Sequence, residues 1–277
     1  MNYICSGSDL ILKDVTCFNA SLSADCGQAF RWKKKEDGTV HGIVGKKSVD
    51  FIESDSKIIF KNTTEDEFKT LLVPYFDLER DYEKIVNGFD DDNLKSAAKE
   101  FYGIRILKQD EWEALCSFII SQNNNIPRIK GIIERLCENF GEKNESGDYL
   151  FPSYNVIASL NEDDLSVLRA GFRNKYIIDA AKKVASGEVD FEKVRALPLM
   201  QAQDELTKIK GVGAKVAQCT LLYGFGKTDA FPVDVWVKKI MAEMYPNGLP
   251  ECTRGCEGIA QQYLFHWRRN SERFIEK

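Results

Sequence analysis

The chain of 277 residues has only two histidines, His41 and His266. A Ser-His-Asp triad or a histidine-rich zinc centre has almost no material to work with. No apolar run approaches the roughly 18–20 residues that a membrane helix needs, so no membrane partner is expected. The opening Met-Asn-Tyr-Ile-Cys-Ser lacks both a basic n-region and an apolar stretch, so no signal peptide is expected. There is no long basic tail of the kind that carries a nuclear address. The eight cysteines, at 5, 17, 26, 116, 137, 219, 252 and 256, match no zinc ribbon or finger. Cys252 and Cys256 form C-x3-C with no cysteine downstream, which falls short of a four-thiolate iron–sulfur cluster. Most of the eight are expected to be buried small hydrophobes.

What is present is an ordinary globular composition. Hydrophobic residues make up 43% and charged residues 29%, and the length favours two domains. The 38 Lys+Arg against 43 Asp+Glu give a net charge of −5, which counts against a nucleic-acid partner only if it is evenly spread. It is not. Residues 1–100 hold 14 basic and 19 acidic side chains, the whole excess, and residues 205–240 hold six lysines against three acids.

The first part of the chain reads as an antiparallel meander. Strand-like runs are expected at Gln28–Trp32, Val40–Val44, Ser48–Ile52 and Ile58–Phe60, with turns at Asp37-Gly38 and Ser54-Asp55-Ser56. The acidic stretch Phe89 to Asn93 suits a helix cap or a domain joint. From about residue 95 the period becomes helical: Ile129, Ile132, Ile133, Leu136, Cys137 and Phe140 share one face, as do Trp112, Leu115, Cys116 and Ile119. Further helices are expected from Asn161, over Asn174–Val184 and over Leu199–Ile209. The fold class is thus α+β, with a small antiparallel β-sheet domain over 1–95 and an all-helical region over 96–277.

The most informative stretch is Leu206 to Ala217, where a helix runs into Gly211-Val212-Gly213 and another starts at once. The glycines permit a tight turn and close approach to another surface. The free N–H groups of the second helix make an anion site that suits a DNA phosphate, with Lys208 and Lys210 adding attraction. Nineteen residues after Lys215 comes Asp234, inside Phe231-Pro232-Val233-Asp234-Val235-Trp236, where it suits an N-cap.

The stretch from Leu206 to Val235 resembles the helix-hairpin-helix and Gly/Pro-Asp loop of base-excision DNA glycosylases, with the hairpin at about 199–224 and the Asp loop at about 228–236. Three more blocks are similar to 8-oxoguanine DNA glycosylases: Cys26-Gly27-Gln28-Ala29-Phe30-Arg31-Trp32, Ser117 to Ile126 with its three asparagines, and Ala260-Gln261-Gln262-Tyr263-Leu264-Phe265. The resemblance implies a TBP-like N-terminal sheet and a bifunctional glycosylase/AP lyase. Lys215 would be the nucleophile. Asp234 would be both the helix cap and a carboxylate offsetting charge on the sugar. Gly27 would accept N7–H of the flipped base, Gln261 would bond its Watson–Crick edge, and Phe265 and Cys219 would stack on its two faces.

Asn123 would fill the gap left by the base. Arg128 and Arg173 would read the orphaned cytosine, and Phe172 would wedge beside it. Gly211, Gly213 and Lys210 would meet the DNA backbone. The carbonyls of Thr207, Ile209 and Val212 would hold a structural monovalent cation, and no other cofactor is implied. Relatives often carry His two residues after the aspartate, against a phosphate, whereas here that residue is Trp236. The expected partner is duplex DNA holding 8-oxoguanine opposite cytosine, met by a monomer in a bacterial or archaeal cytoplasm. Two other readings remain: the same superfamily acting on another damaged base, and a hairpin module that only grips DNA.

Overall fold

A computed structural model describes residues 1–54 and 57–274, so Asp55 and Ser56 of the expected turn lie outside the described residues. The N-terminal part is a six-stranded antiparallel sheet in the order β1-β2-β6-β5-β4-β3. Its strands are β1 Asn2–Ser6, β2 Asp9–Lys13, β3 Lys33–Lys34, β4 Val40–Val44, β5 Lys47–Ser54 and β6 Lys57–Phe60. Helix α1, Ala20–Asp25, separates β2 from β3.

Three of the expected strands are present. The fourth is a correction: Gln28–Trp32 is irregular, and only the two residues after it pair with β4. The chain cannot run straight there because Gly27 sits at φ +89° and Gln28 turns inward to bond backbone. Strands β1 and β2 were not anticipated, although Leu10 and Leu12 alternate into the core.

Short helices follow: α2 Glu65–Glu67, a π-helical turn Phe68–Leu72 and α3 Val73–Tyr75, then α4 Tyr82–Asn87 and α5 Asp92–Glu100. Asp91 caps α5 by accepting from the N–H groups of Asn93 and Leu94, as the acidic stretch suggested. The core under the sheet joins Leu10, Leu12, Phe51, Phe60, Phe68 and Phe76 to Trp32, whose indole N–H donates to the Tyr75 hydroxyl at 2.7 Å.

The next helices are α6 Glu111–Ser121, α7 Ile126–Phe140, α8 Tyr154–Ala158, α9 Arg173–Ala185, α10 Phe191–Ala196, α11 Leu199–Thr207 and α12 Ala214–Tyr223. The apolar stripe expected on α7 is buried from Ile129 to Cys137, while Phe140 is half-buried. The helix expected from Asn161 is a 3-10 turn over Asp164–Leu168, because the Asn161 side chain holds the Asp163 and Asp164 N–H groups in a turn. Helices α13 Val235–Met244 and α14 Glu257–Asn270 follow, and a 3-10 turn over Glu272–Phe274 comes after them.

The packing divides the chain differently from a cut at 95/96. One compact unit holds residues 1–45, 49–108 and 228–277, and the other holds 46–48 and 109–227. The last fifty residues join the first unit because α14 lies on α5, where the Glu100 carboxylate accepts from Trp267 and Ser271. Five cysteines are buried, Cys252 and Cys256 are half-buried, and Cys5 is exposed; all eight are free thiols. No described helix is long and apolar enough to cross a membrane.

Candidate functional site

The hairpin lies in the second unit. Helix α11 ends at Thr207, and α12 starts after Gly213 with no side chain capping its first N–H groups. Those donors are therefore open to an anion. Gly211, at φ +80°, cannot be another residue: a Cβ there would stand 2.4 Å from the Tyr176 ring of α9. The same face of α9 ties the turn from below. The Asp179 carboxylate accepts the Lys210 N–H at 2.7 Å, and the Lys183 ammonium donates to the Lys208 carbonyl. Lys210 is exposed, but the Lys208 ammonium is held by Glu205 at 2.8 Å, which weakens its expected claim on a phosphate.

Lys215 is the second residue of α12 and half-buried. Its ammonium donates to the Ser121 hydroxyl at 3.1 Å and lies 5.4 Å from the Phe118 ring centroid. Ser121 in turn donates to the Phe118 carbonyl, so the lysine is aimed by a hydroxyl whose own direction is fixed. Cys219 is one turn along on the same helix and buried. Neither Ser121 nor Tyr176 was singled out from sequence, although Ser121 lies inside the Ser-Gln-Asn-Asn-Asn block.

That block turns sharply between α6 and α7. Asn123 is exposed and left-handed at φ +48°, a conformation that asparagine tolerates. Asn125 caps α7 through the Arg128 N–H at 3.0 Å, and the Arg128 side chain is exposed. Arg173 is buried rather than presented to a base. It donates to the Ala170 carbonyl at 2.9 Å and to the Gln122 and Asn123 carbonyls, so in this arrangement it braces the Asn123 turn. Burial, and then the nearby charge of Arg128, hold the Arg173 guanidinium below its ordinary range. Phe172 precedes it, 47% exposed, which suits an apolar wedge.

The first unit holds the remaining candidates. Asp234 caps α13, accepting from the Trp236 and Val237 N–H groups at 2.9 and 2.8 Å. Trp236 is half-buried with the Lys239 ammonium 5.2 Å from its ring centroid. On α14, Gln261 is 5% exposed and its side-chain carbonyl has no hydrogen-bond partner, an arrangement that costs free energy unless a ligand supplies a donor. Phe265, one turn on, is half-buried under the Arg269 guanidinium. Gly27 follows the buried Cys26, whose thiol is pushed up to about 12 by burial.

Thr207, Ile209 and Val212 all fall in or beside the hairpin turn, where the Ile209 carbonyl accepts the Val212 N–H at 3.0 Å. Carbonyl oxygens are hard donors with a second lone pair, the donor type that an alkali cation takes. Among the described residues no cluster of three His, Cys, Asp or Glu could hold a metal.

Residues 10–115 match the family described as 8-oxoguanine DNA glycosylase, N-terminal domain, and residues 116–249 match the HhH-GPD superfamily of base excision DNA repair proteins. A probable N-glycosylase/DNA lyase of Methanothermobacter thermautotrophicus is 32% identical, over 71% of this chain and 73% of that protein. MBOgg1, solved with a low-affinity DNA ligand, is 39% identical with a TM-score of 0.90, covering 97% of this chain and 98% of its own. The 8-oxoguanine glycosylase/lyase of Clostridium acetobutylicum, solved on duplex DNA with cytosine opposite 8-oxoguanine, is 36% identical with a TM-score of 0.90, covering 97% and 98%.

Proposed function

The chain belongs to the 8-oxoguanine DNA glycosylase/lyase family, and on that premise we propose that it excises 8-oxoguanine from duplex DNA through a Schiff base on Lys215 and then nicks the strand. The observation that carries the catalytic assignment is the Lys215 amine: half-buried, at an uncapped helix start, and aimed by Ser121. Once deprotonated, the amine attacks C1′ of the flipped nucleotide. The bond from C1′ to the base breaks, and the base leaves with the electron pair and takes a proton. The sugar ring opens to a Schiff base, which acidifies the C2′ proton. Loss of that proton expels the 3′ phosphate by β-elimination. The Asp234 carboxylate offsets the positive charge that grows on the sugar as the base departs.

The Gln261 carbonyl, buried without a partner, suits a donor on the base edge, and Gly27 suits the N7–H that separates 8-oxoguanine from guanine. The exposed Arg128 offers donors to the acceptors of an orphaned cytosine, and Arg173 acts on the same base through the Asn123 turn. A monovalent cation on the Thr207, Ile209 and Val212 carbonyls belongs to the same proposal, in a structural role. The proposal includes a location beside the genome, in a bacterial or archaeal cytoplasm.

The test is a duplex series with 8-oxoguanine opposite each of the four bases. Excision is expected to be fastest opposite cytosine, by about tenfold for one good paired contact. Equal rates opposite all four bases would remove the assignment of Arg128 and Arg173.

A further inference from the structure

The loop that carries Gly27 is held by two buried glutamines. Gln28 is fully buried. Its amide nitrogen donates to the Ser23 carbonyl at 2.9 Å and the Arg105 carbonyl at 2.8 Å, while its oxygen accepts the Leu107 N–H at 2.9 Å. On the other side of the glycine, Gln262 of α14 is 1% exposed and its amide nitrogen donates to the Cys26 carbonyl at 3.1 Å. The Cys26 carbonyl belongs to the peptide unit that enters Gly27, and Gln28 is the residue that leaves it. Gly27 itself stands at φ +89°, where torsional freedom is wide and a fixed direction must come from its neighbours. All these residues lie within one compact unit.

We propose that Gln262 is a positioning residue for lesion discrimination: by holding the Cys26 carbonyl it fixes the peptide plane entering Gly27 and, with Gln28 anchoring the residue that leaves it, the aim of the Gly27 carbonyl. This rests on the proposed role of Gly27 as acceptor for N7–H. Discrimination between 8-oxoguanine and guanine comes down to one acceptor meeting either a donor or another acceptor. That contrast is sharp only if the acceptor cannot swing away. A loosened glycine would bind the lesion less well and repel guanine less. Gln262 also neighbours Gln261 in sequence on α14, so one helix presents the base-edge amide and anchors the loop.

The test compares wild type with Gln262→Leu, which removes the donor, and Gln262→Met, which keeps the length of the side chain without a donor. Two substrates are used: duplex with 8-oxoguanine opposite cytosine, and duplex with a preformed abasic site, where the lyase step needs Lys215 but no base recognition. For each variant, base excision relative to lyase rate is expected to fall by about tenfold, equivalent to ~1.4 kcal/mol. Selectivity for 8-oxoguanine over guanine, measured as competition by undamaged duplex, should fall with it. An unchanged excision-to-lyase ratio in both variants overturns the proposal. So does an equal fall in both activities, which marks Gln262 as a support of the fold alone. Failure of the underlying reading looks different: the wild type itself would then show no preference for 8-oxoguanine.

Discussion

The two compact units hold their candidate residues in opposite ways. In the unit of residues 1–45, 49–108 and 228–277, the polar groups assigned to the base edge sit within the packing: Gln261 is buried inside α14, and Gly27 lies between neighbours anchored by Gln28 and Gln262. In the unit of residues 46–48 and 109–227, the side chains of Asn123, Arg128 and Phe172, assigned to the duplex, are exposed, and Arg173 braces the Asn123 turn from within. Telling one purine from another by a single hydrogen requires acceptors that cannot relax, which favours burial and full anchoring. Opening a stacked duplex and filling the gap requires side chains that project, with only their bases held firm. Lys215 is intermediate, half-buried with its amine directed.

The largest expected effect that separates these roles is at Asp234, whose carboxylate both caps α13 and carries charge. Asp234→Asn keeps the cap, since asparagine caps as well as aspartate. Its excision rate is expected to fall about 10²–10³-fold, the scale of losing one preorganised electrostatic partner, with the melting temperature unchanged. Asp234→Ala should lose about 1 kcal/mol of stability in addition. Melting curves and single-turnover rates on the two variants separate the roles. An Asn variant at full rate would leave Asp234 as a cap only.

A smaller effect distinguishes the buried unit by its response to acid. His266, on α14, is nine-tenths buried with the Phe101 ring edge-on at 4.5 Å. Burial, and then the charge of Arg269, lower it from 6.5 to about 4, against the opposing pull of Asp25 and Glu100. The unfolded chain therefore binds a proton near pH 6.5 that the folded chain refuses until about pH 4. Stability is complete above 6.5, falls as the pH drops from 6.5 to 4, and is flat in this respect below. The loss is on the order of 3 kcal/mol. Denaturant titrations of wild type and His266→Gln across that window should diverge by this amount. Parallel curves would show that His266 carries no such linkage.

Much of this was legible in the sequence, for reasons that vary from residue to residue. The hairpin could be read because Gly211 takes a left-handed turn that favours glycine, and Asp234 because a cap is defined by its own next three residues. The stripe on α7 was visible because burial follows its 3.6 period. Gln28–Trp32 reads as a strand because Phe30 and Trp32 flank a single polar residue, while the Gly27 torsion and the inward Gln28 amide are tertiary facts. Gln262 was invisible for the same reason. Its partner lies 236 residues away, and a second glutamine on a helix reads as surface. Arg173 was assigned by the family resemblance, but its immediate partners are the carbonyls that set the Asn123 turn.

The central claim is that the Lys215 amine is the nucleophile. Borohydride reduction during reaction with duplex containing 8-oxoguanine opposite cytosine tests it most directly. Wild type is expected to form a covalent protein–DNA adduct, and Lys215→Gln none, with its fold intact because Lys215 is only half-buried. An adduct that persists in Lys215→Gln, or its absence from wild type, would contradict the mechanism.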